Sequence, residues 1–160
     1  MIDKYIQILI ESLDKKKIVL QSIITKNEEQ AEQLKEETIS LQQFDRLCDE
    51  KELLITQLLQ LDQGFEAVYN RIQQDLKEPI IQKRFESQIR SLQNQIKEIT
   101  DLSVAIEVGE NRNKNMVEKV FRSERDKLQS HKKSTKAAVN YYKNMNRVNY
   151  VDPQMMDQKK

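Results

Sequence analysis

Side chains able to do chemistry are few in this sequence and do not cluster. The 160-residue chain has one histidine and one cysteine. His131 lies in a stretch rich in Lys and Ser, which is typical of a solvated surface. Cys48 has Asp45, Asp49 and Glu50 close by in sequence. Those acids would raise a thiol pKa, whereas a nucleophilic cysteine needs a lowered one. Neither residue therefore predicts a catalytic centre.

The motifs of metal, nucleotide and redox chemistry are also missing from the sequence. There is no CxxC, HExxH, GxGxxG or Walker-type loop. No Glu-x-x-His pair is present to support a di-iron site in a helical bundle. Carboxylates at helical spacing are explained more simply as a solvated face with Lys partners. We expect no enzyme activity, no cofactor and no metal site.

Charge and hydropathy restrict the other classes of partner. The formal net charge is +1, and the locally basic stretch 122–136 suits the C-terminal end of a helix, so we expect no nucleic-acid binding. No run approaches the ~18 apolar residues of a membrane span. The N-terminus lacks the apolar block of a signal peptide, and a single cysteine cannot form an internal disulfide. These features predict a cytoplasmic protein without membrane insertion.

The elements that must carry any binding residues are long helices. Charged residues make up 33% of the chain and hydrophobic residues 38%, with only two Gly and two Pro. Few turns are therefore available, and each helix buries only a stripe. The sequence predicts an all-α fold, an elongated antiparallel three-helix bundle or coiled coil with a long third helix and an irregular C-terminal tail.

Apolar residues recur at steps of three, four or seven along three stretches, which is the helical period. This predicts helices over about 2–37, 41–77 and 80–135, forming a bundle over 1–135, with a partly helical, then irregular tail over 136–160. Ser40 and Gln43 have the spacing of a capping box at the first turn. Pro79 suits the first turn of the third helix and disfavours helix at the residue before it.

Several residues interrupt these stripes. Lys16 and Asn27 occupy stripe positions of the first helix. Gly64 lies inside the second helix, where we expect it to be tolerated or to allow close packing rather than to form a hinge. The polar stretch 109–113 predicts a polar layer or a local bend, and because the period resumes after it, we expect one continuous third helix.

The third helix continues past the level at which its neighbours end. It runs parallel to the first helix and draws level with its end near residue 115. An apolar stripe without an intramolecular cover predicts a surface for binding a client or a second copy. The candidate client-binding residues are Met116, Val117, Val120, Phe121 and Leu128. The alternative is a break near Gly109 after which the chain folds back.

Three segments of the chain resemble the FlgN family of flagellar type III export chaperones. The second helix carries Asp49-Glu-Lys-Glu-Leu-Leu-Ile55 followed by Leu58, Leu61 and Phe65, similar to the family's Glu-x-x-Leu-Ile-x-x-Leu-x-x-Leu core. The third helix contains the asparagine-rich run 111–117, and the chain ends in a Tyr-containing tail, 141–160. The resemblance covers most of the chain. FliT-type chaperones, which serve the filament cap protein, are built similarly.

The resemblance implies a specific function. FlgN-type chaperones bind the C-terminal amphipathic helices of the hook–filament junction proteins FlgK and FlgL and deliver them to FlhA at the export gate. Tyr141, Tyr142 and Tyr150 are the candidates for the gate or client contact in the tail. We expect a monomer or weak homodimer. The alternative from another class is a structural coiled-coil protein that self-associates.

Overall fold

The computed structural model describes residues 1–123 and 140–141. Helix α1 spans Ile2–Lys35, α2 spans Leu41–Ile72, α3 spans Pro79–Arg84 and α4 spans Glu86–Ser123, with a 3₁₀ turn at Asp75–Lys77. Asn140 and Tyr141 are helical as well. No strand occurs within the described ranges, and the long helices pack against one another. The predicted all-α class is confirmed.

Ser40 ends the connection between α1 and α2, as its sequence predicted. Backbone torsions at Glu36 are extended (φ −71°, ψ 148°) and end α1. Ser40 is the N-cap of α2, and its Oγ accepts a hydrogen bond from the Gln43 N–H at 3.3 Å. The Gln43 side chain instead accepts from Gln33 on α1, at 3.5 Å. The first turn of α2 is thus held by its own N-cap and by a side-chain hydrogen bond to α1.

The second connection is longer than the sequence indicated. Helix α2 ends at Ile72 rather than near residue 77. Glu78 is extended (φ −70°, ψ 128°) because Pro79 follows it, and Pro79 occupies the first turn of α3. The expected third helix is then interrupted at Phe85 (φ −112°, ψ 30°). Phe85 is 9% exposed, and its side chain belongs to the main core.

Ion pairs between α1 and α2 fix their antiparallel direction. Lys16 pairs with Asp62 at 2.7 Å, and Lys26 pairs with Glu50 at 2.7 Å. The residue numbers rise along α1 as they fall along α2. The first pair is almost fully buried, whereas the second lies at the surface.

Contacts between α1 and α4 show that these two helices run parallel. Lys17 pairs with Glu98 at 3.0 Å, and further along, Asn113 Nδ2 donates to the Asn27 carbonyl oxygen at 2.9 Å. Helix α1 lies closely against both α2 and α4, whose own backbones stay farther apart. We call the line along which side chains of α2 and α4 meet the α2–α4 seam.

Within residues 1–123 and 140–141, two groups of buried side chains form the core. The main cluster contains apolar residues of α1, α2 and α4 together with Phe85 and Tyr141. A smaller cluster, which we call the end cluster, consists of Leu34, Phe44, Cys48 and Val117. It closes the end of the molecule at which α1 turns into α2. Among the described residues, no helix is long and apolar enough to cross a membrane.

The two glycines differ in their surroundings, and this yields a first prediction. A Cβ at Gly64 would meet nothing within 4 Å, so α2 merely tolerates this glycine. A Cβ at Gly109 would lie 3.3 Å from Nδ2 of the buried Asn27. Helix α4 continues through Gly109 without a break. We expect Gly64→Ala to raise the free energy of unfolding by up to about 1 kcal/mol, through helix propensity.

Gly109→Ala is the matched comparison, because the same exchange gives the same gain in helix propensity. Its Cβ presses on Asn27, so we expect a smaller gain or a net loss. Urea unfolding followed by circular dichroism measures both. Equal gains at the two positions would contradict a close approach of α4 to Asn27.

Candidate functional site

A buried ion pair lies in the α2–α4 seam. Lys51 of α2 is 0% exposed, and its Nζ lies 2.9 Å from Oε1 of Glu110 on α4, which is 4% exposed. Lys51 also donates to the side-chain oxygen of Gln30 on α1. Burial lowers the pKa of Lys51, and the Glu110 carboxylate opposes that shift. Each of the three long helices thus contributes one polar side chain to the same buried point.

Tyr141 covers this ion pair. Its ring centroid lies 3.7 Å from Lys51 Nζ, which is a cation–π contact, and its hydroxyl donates a hydrogen bond to Glu110 Oε1. The tyrosine is 1% exposed. The three N–H groups of the ammonium therefore have a carboxylate, an amide oxygen and a ring face as neighbours. We call Gln30, Lys51, Glu110 and Tyr141 the seam site.

Cys48 borders the seam site one helical turn before Lys51. Its Sγ accepts a hydrogen bond from Gln30 Nε2 at 3.3 Å. Burial raises the pKa of the thiol from 9.0 to about 11, against the opposing effects of Lys51 and Gln30. Of the acids named in the sequence analysis, Asp45 contributes to this rise, but less than burial does. The thiol is a small core group rather than a nucleophile.

This raised pKa predicts slow alkylation of Cys48. At pH 8, raising the thiol pKa from 9.0 to about 11 reduces the thiolate fraction about a hundredfold. Iodoacetamide should therefore react at least that much more slowly with the folded chain than with the chain in urea. Between about pH 9 and about pH 11, the Cys48 thiol keeps its proton in the folded state and ionises in the unfolded state. Hence the free energy of unfolding should also fall as pH rises from about 9 to about 11. A Cys48→Ala, Leu53→Cys variant is the control, because Leu53 is 67% exposed. Equal alkylation rates at positions 48 and 53 would contradict the burial of Cys48.

A layer of amides adjoins the seam site on the α1 side. Asn27 and Asn113 are 2% and 0% exposed. The Asn27 carbonyl oxygen accepts from Asn113, while the Asn27 side-chain amide has no hydrogen-bond partner among the described residues. With Glu110 and Gly109, these residues form the polar layer that the stretch 109–113 predicted.

Of the predicted client-binding residues, Val117 belongs to the end cluster, and Met116 and Val120 pack against it. Val117 is 5% exposed against Leu34, Phe44 and Cys48, and Met116 and Val120 are half-buried beside it. Helix α4 is therefore covered at least to Val120 by the end of α1 and the start of α2. The side chain of Phe121 and the whole of Leu128 lie outside the described residues.

Of the candidate tail tyrosines, only Tyr141 is described. Its side chain is buried in the seam site and is not presented at the surface. Tyr142, Tyr150 and His131 lie outside the described residues. In the part of the chain that the structure describes, no group of three or more His, Cys, Asp or Glu residues could hold a metal ion.

Sequence reasoning missed the burial of Lys51, although a signal was present. Lys16 occupies a stripe position of the first helix, and the second stripe steps by seven from Leu47 to Leu54, with Lys51 four positions after Leu47. Charged residues at such stripe positions indicate buried ion pairs.

Comparison with known proteins does not extend this picture. No family model, no curated protein and no solved structure matches the chain.

Proposed function

We propose that this chain is a cytoplasmic export chaperone of the FlgN type, an elongated antiparallel three-helix bundle without enzyme activity that binds amphipathic helices of other proteins. Its clients would be the C-terminal helices of the hook–filament junction proteins FlgK and FlgL. It would deliver them to FlhA at the export gate. The family assignment rests on the sequence resemblance described above.

The observation that carries the proposal is the helical pair Asn140–Tyr141 in the α2–α4 seam. Helix α1 lies against both α2 and α4, whose backbones stay farther apart from each other, and the seam accepts a segment distant in sequence. A seam that takes up one helical segment has the shape and chemistry to take up another. Client helices need such a cover because an exposed apolar stripe aggregates.

Affinity in the range a chaperone requires follows from ordinary burial energies. Covering about 800 Å² of apolar surface would contribute roughly 20 kcal/mol before costs. Lost translational freedom and side-chain ordering remove most of it. Micromolar to nanomolar binding remains, which permits release of the client.

Light scattering coupled to gel filtration tests the proposal. The free protein should elute as a monomer or weak dimer, and a C-terminal fragment of FlgK or FlgL should convert it into a defined complex. A polar peptide of equal length is the control. A stable tetramer that ignores both fragments would refute the chaperone proposal and favour a self-associating coiled coil.

A further inference from the structure

We infer that the seam site is a tyrosine-selective docking site, at which a partner helix carrying a tyrosine on its apolar face competes with the chain's own Tyr141. The inference rests on the proposed function, since it names what the site recognises in a client helix.

The chemistry of the site selects both parts of a tyrosine side chain. Lys51 Nζ presents a buried positive charge to the face of an aromatic ring, 3.7 Å from the centroid. Glu110 presents a carboxylate oxygen to the phenolic hydroxyl. Phenylalanine satisfies only the first group, and leucine satisfies neither. Glu110 Oε2 is buried and has no hydrogen-bond partner among the described residues, so the carboxylate retains further capacity to accept.

The floor of the site comes from the three long helices, whereas its occupant does not. Lys51, Glu110 and Gln30 belong to three helices that pack through apolar contacts all along the main cluster. Tyr141 comes from elsewhere, 18 positions after the last residue of α4, Ser123. A fixed receptor with an occupant from a separate segment is the arrangement in which a partner can replace that occupant.

The presence of Tyr141 in the same chain also determines what a competing partner must overcome. Ser123 is 13 residues beyond Glu110 on α4, about 20 Å along the helix axis. Because Tyr141 belongs to the same chain as the site, its contact has an effective concentration that a partner must exceed.

A labelled peptide with the sequence of residues 134–148 tests the inference by fluorescence polarisation against the full chain. It should bind a Tyr141→Ala chain at least about tenfold more tightly than the wild type, in which Tyr141 already fills the site. The Tyr141→Phe peptide should bind at least about tenfold more weakly than the unaltered peptide, because it lacks the hydrogen bond to a charged acceptor. The Tyr142→Phe peptide is the matched control and should bind unchanged.

Circular dichroism checks that the Tyr141→Ala chain is folded. If it is not, the Tyr141→Phe chain replaces it, and the unaltered peptide should still bind this variant several-fold more tightly than the wild type. Failure of the peptide to bind either folded variant, or equal binding of the Tyr and Phe peptides, overturns the inference.

A competition arm separates this inference from the proposed function. A FlgK or FlgL C-terminal fragment that carries a tyrosine on its apolar face should displace the labelled peptide, and changing that tyrosine to Phe should weaken displacement about tenfold. A fragment that binds the chain without displacing the peptide refutes the inference and leaves the chaperone proposal intact. A peptide that binds as expected while no fragment binds refutes the chaperone proposal alone.

Discussion

Replacing Lys51 by Met should lower the free energy of unfolding by about 3 to 5 kcal/mol. The substitution keeps the length and apolar stem of the side chain but removes its charge. Glu110 then remains buried at 4% exposure without a cationic partner. Breaking a buried pair from one side has a cost of this size because the remaining charge has been removed from water. Tyr141 also loses its cation–π contact.

Two further variants identify the cause of that loss. Lys51→Met combined with Glu110→Leu should recover most of the stability, since exchanging both partners for apolar residues of similar volume is often neutral or better. Lys26→Met is the matched control, because Lys26 pairs with Glu50 at a similar distance, 2.7 Å, but with side chains 28% and 38% exposed. It should cost less than about 1 kcal/mol. Urea unfolding measures all three, and equal losses for Lys51→Met and Lys26→Met would contradict a desolvated charge at the seam site.

Helical periodicity predicted which segments of the chain are helical and most of the buried side of each long helix. In α2, five residues of the apolar stripe are buried: Phe44, Leu47, Leu58, Phe65 and Ile72. Three other stripe residues, Leu54, Leu61 and Val68, are half-buried. The fully buried positions beside them lie one residue further on, at Ile55, Asp62 and Tyr69. Asp62 is buried in an ion pair with Lys16, and a rule that assigns charged residues to the surface misses such a position.

Connections were harder to predict than helices, for a different reason. Ser40 and Pro79 act through their own backbone neighbours, and their effects were predicted from local sequence. The interruption at Phe85 has no local signal, because neither Gly nor Pro is present there. It is accompanied by the burial of the Phe85 ring in the main cluster, a contact with distant parts of the chain. The contact between Tyr141 and Lys51 is also a tertiary contact, which helical periodicity cannot predict.

The seam site and the end cluster are neighbours, which links stability to recognition. Cys48 belongs to the end cluster and accepts a hydrogen bond from Gln30, which in turn accepts from Lys51. A change at the end cluster therefore reaches the seam site through two hydrogen bonds. Loss of client binding after a mutation near Val117 is informative only if the stability of the free protein is measured alongside it.

Val117→Asp should lower the free energy of unfolding by about 3 to 5 kcal/mol, because it places a carboxylate without a cationic partner among Leu34, Phe44 and Cys48. Val108→Asp is the matched control, since it makes the same chemical change on the same helix at a residue that is 64% exposed. It should shift stability by no more than about 0.5 kcal/mol.

The same pair of variants shows whether Val117 is a core residue of the end cluster or part of a surface that binds clients. If Val117 is core, Val117→Asp shifts the urea midpoint strongly, and any loss of client binding follows from unfolding. If Val117 belongs to a surface reserved for clients, as the apolar stripe alone predicted, Val117→Asp abolishes binding of the FlgK or FlgL fragment while the midpoint stays with that of Val108→Asp. The burial of Val117 at 5% exposure favours the first result. The second result would mean that the start of α2 and the end of α1 separate from α4 when a client binds.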